Sequence, residues 1–116
     1  NRIIDFSYLR WLKNLINLQL NSLKINDLSF LTDWHDLEFL SLKNNSIENI
    51  DPLKILPKIK EIDLSDNNIN NIEPIVEIKT LKKLNLSFNH IKNLNAFNST
   101  KSNILLSELN KKCGLN

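Results

Sequence analysis

Three groups of side chains in the sequence are of types that could bind a metal ion or carry out nucleophilic chemistry. Asp63, Ser65 and Asn67 alternate like the oxygen ligands at the start of a calcium-binding loop. Such a loop also needs a glycine at its sharp turn and a glutamate at its end. The glycine is absent here and the carboxylates fall on a predicted strand, so we expect no metal ion at this motif.

The other two candidates are the two histidines and the single cysteine. His35 and His90 lie far apart and occupy different positions of the repeat described below, so we do not expect them to form a site together. Cys113 falls on the apolar face of a predicted terminal helix, where a buried thiol is expected. With one glycine in the chain, no glycine-rich phosphate loop is possible, and neither a nucleophile elbow nor zinc-ligand spacing occurs. We therefore predict no catalytic residue, no metal and no cofactor, and a protein that is not an enzyme.

Composition narrows the classes of partner. Fifteen basic and thirteen acidic residues give a formal net charge of +2, which is too small to indicate nucleic-acid binding. No apolar run reaches the roughly 18 residues that span a bilayer, so we predict no membrane insertion. The single cysteine needs no oxidising compartment, which slightly favours an intracellular location and leaves a secreted or cell-surface one open. The chain has no methionine and starts in mid-repeat, so we expect a fragment of a larger protein. We also expect this fragment to be monomeric.

The dominant feature of the sequence is an internal repeat of 22 residues, which must position all of these side chains. Full repeats start at residues 15, 37, 59 and 81, each with Leu-x-x-Leu-x-Leu spacing in which Ile can replace Leu. The ninth position is Asn in three of them, and the eleventh and fourteenth positions are always Leu or Ile. Residues 1–14 continue the register as a partial repeat, and the pattern degenerates near residue 101. We predict a repeat domain over residues 1–101 and a separate segment over residues 102–116.

Each repeat predicts the same succession of elements. Alternation directs Leu40 inward and Phe39 and Ser41 outward, as in a short strand. The ninth-position Asn can satisfy backbone groups that the following turn leaves unpaired, so stacked repeats would form a ladder of amides. Asp51-Pro52 and Glu73-Pro74 are typical of helix starts. The apolar spacing of three that follows suits a short 3₁₀ or α-helical turn.

Residues 102–116 predict an amphipathic C-terminal helix. Asn103 can cap its start and Gly114 can end it. Its apolar face would consist of Leu105, Leu106, Leu109 and Cys113. Such a helix would cover the open end of the stack, where an apolar surface and unpaired strand groups would otherwise face water.

The pattern Leu-x-x-Leu-x-Leu-x-x-Asn-x-Ile-x-x-Ile-x-Pro-Leu-x-x-Leu, nearly complete in residues 37–56 and 59–78, resembles the 22-residue class of leucine-rich repeats found in bacterial internalin-like and eukaryotic phosphatase-regulator-like proteins. The resemblance implies an α/β solenoid: a curved right-handed superhelix with a parallel sheet on its concave side, short 3₁₀ or helical turns on its convex side and a C-terminal capping helix. It also implies that the concave face binds a protein, although a fold by itself does not settle a function. One departure is Leu23, which replaces the ladder Asn and puts the local turn geometry in question.

The outward strand positions, with two residues of the adjoining turns, are the candidate partner-binding residues: Asn17, Gln19, Phe39, Ser41, Lys43, Glu61, Asp63, Lys83, Asn85 and Phe88. Exposed aromatic residues often anchor interfaces, so Phe39 is either an anchor or packs across the strand row. Phe88 stands where the strand turns and is expected to pack into the coil instead. The acidic group of Glu61, Asp63 and Asp66 either contributes to binding or, as is more common, is a solvated surface.

We interpret the chain as a protein-interaction module. Its strands would hold the binding side chains in place, so that little ordering entropy is lost on association. The alternative is a structural scaffold or spacer arm of a larger effector, signalling or surface adhesin protein, which the polar, mixed-charge rows would also suit. The flanking sequence would discriminate between the two, because an adjoining enzyme domain would favour the scaffold.

Overall fold

A computed structural model describes residue 12 and residues 14–91. Within this range four strands form one parallel sheet in chain order: β1 (Asn17–Gln19), β2 (Phe39–Ser41), β3 (Glu61–Asp63) and β4 (Lys83–Asn85). The return side of each coil holds a short helix: the 3₁₀ helices Ser29–Asp33 and Asp51–Ile55, then the α-helical turn Glu73–Val76. The predicted partial repeat, apart from residues 12 and 14, and the predicted C-terminal helix lie outside the described residues.

The strands stack without any shift in register. Phe39 of β2 lies beside Asn17 of β1 and Glu61 of β3, so residues 22 positions apart are neighbours across the sheet. The pairing continues past the strand ends, where the Leu42 N–H donates to the Asp63 carbonyl at 2.8 Å. Because side chains alternate along a strand, one side of the sheet faces the core and the other faces outward.

The inward side chains of strands, turns and return helices form one apolar core. Leu or Ile fills the repeated positions, and many are fully buried: Leu31, Leu37, Leu42, Ile47, Leu53, Ile59, Leu64, Ile69, Ile75, Leu81 and Leu86. Among the described residues Trp34 is the largest fully buried side chain, and its ring meets Phe30 edge to face with centroids 5.6 Å apart. Burying one Leu or Ile contributes about 1.5–3 kcal/mol, so this core is the main stabilising feature of the stack.

The predicted asparagine ladder is confirmed by side-chain hydrogen bonds. Asn67 is buried, and its Oδ1 accepts the Ile47 N–H at 3.0 Å. Its Nδ2 donates to three backbone carbonyls at 3.0–3.2 Å, those of Leu42, Leu64 and Ser65. Asn45 and Asn89 make equivalent bonds in their own coils. Each amide therefore joins its own coil to the preceding one.

The first full repeat, with Leu23 at the ladder position, makes its turn differently. Asn45 Oδ1 accepts both the Leu23 N–H and the Ile25 N–H, each at 3.0 Å. The backbone at Lys24 is left-handed with φ of 58°, in addition to the left-handed eighth position that all four repeats share. The next coil's asparagine thus compensates for the substitution by accepting a second backbone hydrogen bond.

A second ladder, which the sequence analysis missed, caps the return helices. Asn49 Oδ1 accepts the Asp51 N–H at 3.0 Å, and Asn71 and Asp27 make the same contact in the neighbouring coils. The helices do begin at Asp51 and Glu73, each followed by proline, as predicted. The first N–H groups of a helix have no acceptor within it, and here the acceptor stands two residues earlier, at the thirteenth position of the repeat.

Ion pairs also join equivalent positions of adjacent coils. Lys58 Nζ lies 2.9 Å from Asp36, and Lys60 Nζ lies 2.9 Å from Glu38. The hydrogen bond to Asp36, aided by its negative charge, raises the pKa of Lys58 above the usual 10.5. Because both pairs are accessible to solvent, they add little to stability beside the apolar core.

Candidate functional site

The outward side of the sheet, termed here the sheet face, carries two rows of side chains. The third-position row is Asn17, Phe39, Glu61 and Lys83, and the fifth-position row is Gln19, Ser41, Asp63 and Asn85. The strand register brings together these eight residues, all of which the sequence analysis named as candidates. Lys43 and Phe88 lie just beyond the strands, at the seventh and eighth positions of their repeats.

The fifth-position row is largely engaged in hydrogen bonds within the protein. Ser41 Oγ donates to Asn21 Oδ1 at 2.7 Å. Asp63 Oδ1 accepts the Ser65 N–H at 2.9 Å and the Ser65 hydroxyl at 2.7 Å. Asn85 accepts the same two donors from Ser87 in the next coil. These side chains are therefore held in fixed conformations, and part of their hydrogen-bonding capacity is used.

The third-position row is exposed and less engaged. Phe39 is 39% exposed, so its ring is partly covered and partly accessible. Glu61 and Lys83 are neighbours across β3 and β4. In the described part of the chain, however, neither takes part in an ion pair within 4.0 Å. This row thus presents an aromatic ring and two unpaired charges of opposite sign to solvent.

A depression of about 250 Å³ lies on the sheet face between β1 and β3. Its lining residues are Asn17, Gln19, Phe39, Leu40, Ser41, Glu61 and Asp63. Phe39 provides apolar surface, Leu40 keeps its side chain buried on the core side of the sheet, and the remaining residues are polar or acidic. The third- and fifth-position rows therefore meet in one concavity, whose only charged groups are two carboxylates.

Phe88 departs from the expectation that it packs into the coil. It is 79% exposed, and its backbone is left-handed with φ of 58°. The turn directs Leu86 and Asn89 into the coil, which leaves the eighth position to point outward. The other residues at this position are Ser22, Asn44 and Asp66, types that tolerate turn conformations better than an aromatic residue does. An exposed aromatic side chain is thus held on a strained backbone at the margin of the sheet face.

The remaining groups considered for chemistry are engaged elsewhere or stand alone. Asp63 and Ser65 bond to each other, and the Asn67 amide belongs to the ladder. Among the residues that the structure describes, no three His, Cys, Asp or Glu side chains are placed to hold a metal ion. His35 and His90 are both exposed, and Cys113 lies outside the described range. Within that range, too, no helix has the length and apolar character needed to cross a bilayer.

Parallel three-residue strands, an asparagine ladder and short return helices together define a repeat solenoid. The family described as leucine-rich repeats (two copies) matches residues 35–77. Internalin C2 from Listeria monocytogenes has 30% sequence identity and a TM-score of 0.77 over 86% of this chain. A leucine-rich-repeat protein from Leptospira interrogans has 29% identity and a TM-score of 0.68 over 78% of this chain. The chain is a leucine-rich-repeat protein, and its repeats are internalin-like.

The chain spans 44% of the internalin C2 chain and 24% of the Leptospira chain. No curated protein sequence matches it significantly. Leucine-rich-repeat domains are generally non-enzymatic modules for protein interaction. We therefore interpret the sheet face in terms of protein interaction.

Proposed function

We propose that the chain binds a protein partner through the sheet face, as the concave side of a curved, right-handed solenoid. The contact residues would be the ten candidates: Asn17, Gln19, Phe39, Ser41, Lys43, Glu61, Asp63, Lys83, Asn85 and Phe88. The observation that carries the proposal is the third-position row, where the Phe39 ring and two unpaired charges stand exposed beside a depression. Exposed aromatic residues in such a setting are typical anchors of protein interfaces.

Rigidity is the proposed source of affinity. The strands pair in register, the ladder amides fix each turn, and hydrogen bonds to Asn21 and Ser65 hold Ser41 and Asp63 in place. Ordering flexible side chains costs about 0.5–1.5 kcal/mol each when an interface forms. A surface that is ordered before binding avoids much of this cost, so modest contacts from each repeat can add up to a stable complex.

We also propose the extent of the repeat domain and a capping role for the C-terminal segment. The repeat domain would cover residues 1–101 of a monomer, and residues 102–116 would form a capping helix against the last coil. A cap is needed because the final coil of a solenoid presents apolar side chains and unpaired backbone groups. If this is correct, Leu106→Asp would increase amide hydrogen exchange in β4 and leave β1 unchanged. Unchanged exchange in β4 would contradict the capping role.

The binding proposal is tested by comparing two equally exposed apolar side chains on opposite sides of the solenoid. Phe39 on the sheet face is 39% exposed, and Ile55 on the return side is 41% exposed. The whole chain and its Phe39→Ala and Ile55→Ala variants would be immobilised and used to capture proteins from cell extract and culture medium. Each captured protein would then be purified and titrated calorimetrically.

We expect a partner whose affinity falls at least about tenfold with Phe39→Ala, the usual effect of truncating an aromatic anchor. Ile55→Ala should bind normally. Binding that survives Phe39→Ala, or that falls equally with Ile55→Ala, would contradict the assignment to the sheet face. If no captured protein depended on Phe39, a scaffold role would become the better interpretation.

A further inference from the structure

The depression on the sheet face has the size and lining of a site for one side chain. Its volume of about 250 Å³ is below the roughly 300–1,000 Å³ typical of small-molecule pockets. The Phe39 ring forms an apolar wall, and Glu61 and Asp63 supply negative charge. None of the lining residues is basic, so the concavity combines an aromatic surface with uncompensated carboxylates.

The described lysines leave these carboxylates unpaired. Lys60 pairs with Glu38 at 2.9 Å, away from the depression. Lys83 stands beside Glu61 in the register yet makes no ion pair with it within 4.0 Å. Asp63 uses Oδ1 for its two bonds to Ser65, and within the described residues its Oδ2 has no hydrogen-bond partner.

The negative charge of Asp63 is not needed for the local fold. In the next coil Asn85 occupies the same repeat position and accepts the Ser87 N–H and hydroxyl just as Asp63 accepts those of Ser65. A neutral amide thus makes the same turn as the carboxylate does. The charge at Asp63 therefore adds something that the turn does not use, and it lies in the depression beside Glu61 and Phe39.

We propose that the depression receives an arginine side chain of the protein partner. A guanidinium can stack on an aromatic face, where the negative face of the ring attracts the cation. The same planar group can donate two hydrogen bonds to one carboxylate, which a lysine ammonium cannot match in geometry. The guanidinium stacks on Phe39 and pairs with Glu61 and Asp63. This inference rests on the proposed binding through the sheet face and specifies the chemistry of the partner.

The first test uses the whole chain and three short blocked peptides that differ only in a central arginine, citrulline or lysine. Citrulline has the shape of arginine without its charge. Nuclear magnetic resonance titration should show saturable shifts at Phe39, Glu61 and Asp63 with the arginine peptide. We expect binding about tenfold weaker for the citrulline peptide, and weaker binding for lysine. Equal binding of the citrulline and arginine peptides, or shifts located elsewhere, would overturn the proposal.

Variants supply the matched controls. Glu61→Gln and Asp63→Asn should each weaken binding of the arginine peptide about fivefold or more, since each removes one charge-assisted contact. Glu48→Gln removes an exposed carboxylate outside the sheet face and should have no effect. With a captured partner, normal binding by Glu61→Gln and Asp63→Asn alongside a loss with Phe39→Ala would refute the arginine site and leave the sheet face standing. Normal binding by all three variants would refute both.

Discussion

Replacing Asn67 by alanine tests how the ladder holds adjacent coils together. Asn67 makes four hydrogen bonds, three as donor to carbonyls and one as acceptor from the Ile47 N–H. The three carbonyls keep other donors in the variant: Asn45 Nδ2 for Leu42, Asn89 Nδ2 for Leu64 and the Asn44 N–H for Ser65. Only the Ile47 N–H loses its acceptor.

The expected loss of stability follows from this count. A buried N–H without an acceptor costs about 1–3 kcal/mol, and each lost bond to a carbonyl that retains another donor costs about 0.5 kcal/mol. The sum is about 2.5–4.5 kcal/mol, a large part of the 5–15 kcal/mol typical of a domain. Asn67→Ala should therefore lower the free energy of unfolding by about that amount.

Urea unfolding followed by circular dichroism would measure the change, with Asn49→Ala as the matched control. Asn49 makes one exposed capping bond, to the Asp51 N–H, so its loss should cost about 1 kcal/mol or less. A cost for Asn67→Ala no larger than that for Asn49→Ala would refute the argument that the buried ladder joins the coils.

Two further predictions concern backbone strain and charge. Phe88→Asn should raise the free energy of unfolding by about 1 kcal/mol, because Asn tolerates the left-handed backbone better and the exposed ring contributes little burial. Asp66→Asn, at the same repeat position, should leave stability unchanged. An equal effect of the two substitutions would contradict backbone strain at Phe88. Asp36→Asn should lower the pKa of Lys58 towards 10.5, as measured by carbon chemical shifts during a pH titration. In the unsubstituted chain the raised pKa of Lys58 contributes stability that is fully present below pH 10.5 and is lost as the pH rises through the higher folded-state pKa. The same Lys58 pKa in the unsubstituted chain and in Asp36→Asn would contradict the contact.

The coil could be predicted because each repeat contains the residue pattern of a strand, a turn and a short helix. Alternation predicts Phe39 outward and Leu40 inward, and the ninth position predicts asparagines that bond to the backbone, as the structure has them. The repeat also carries two further signals, one that the predictions above leave out and one that contradicts the expectation for Phe88. The thirteenth position is Asp or Asn in every coil, which indicates the caps found at Asp27, Asn49 and Asn71. The eighth position is otherwise Ser, Asn or Asp, which indicates a left-handed turn and an exposed Phe88.

Other features of the sheet face depend on distances between coils, which a one-dimensional pattern does not contain. The bond from Ser41 to Asn21 joins different positions of adjacent repeats. The depression beside Phe39 arises from the sizes of side chains on three strands together. Likewise, Lys60 pairs with Glu38, whereas Lys83 leaves Glu61 unpaired, and nothing in the spacing of these residues distinguishes the two cases.

The most direct test of binding through the sheet face is a cross-saturation measurement on the complex with a captured partner. Irradiating the partner reduces the signals of those amides in this chain that lie at the interface. We expect the reduction to be concentrated in β1 to β4 and in the turn at Phe88. Signals reduced instead along the return helices, at residues 51–55 and 73–76, would place the partner on the opposite side and contradict binding through the sheet face.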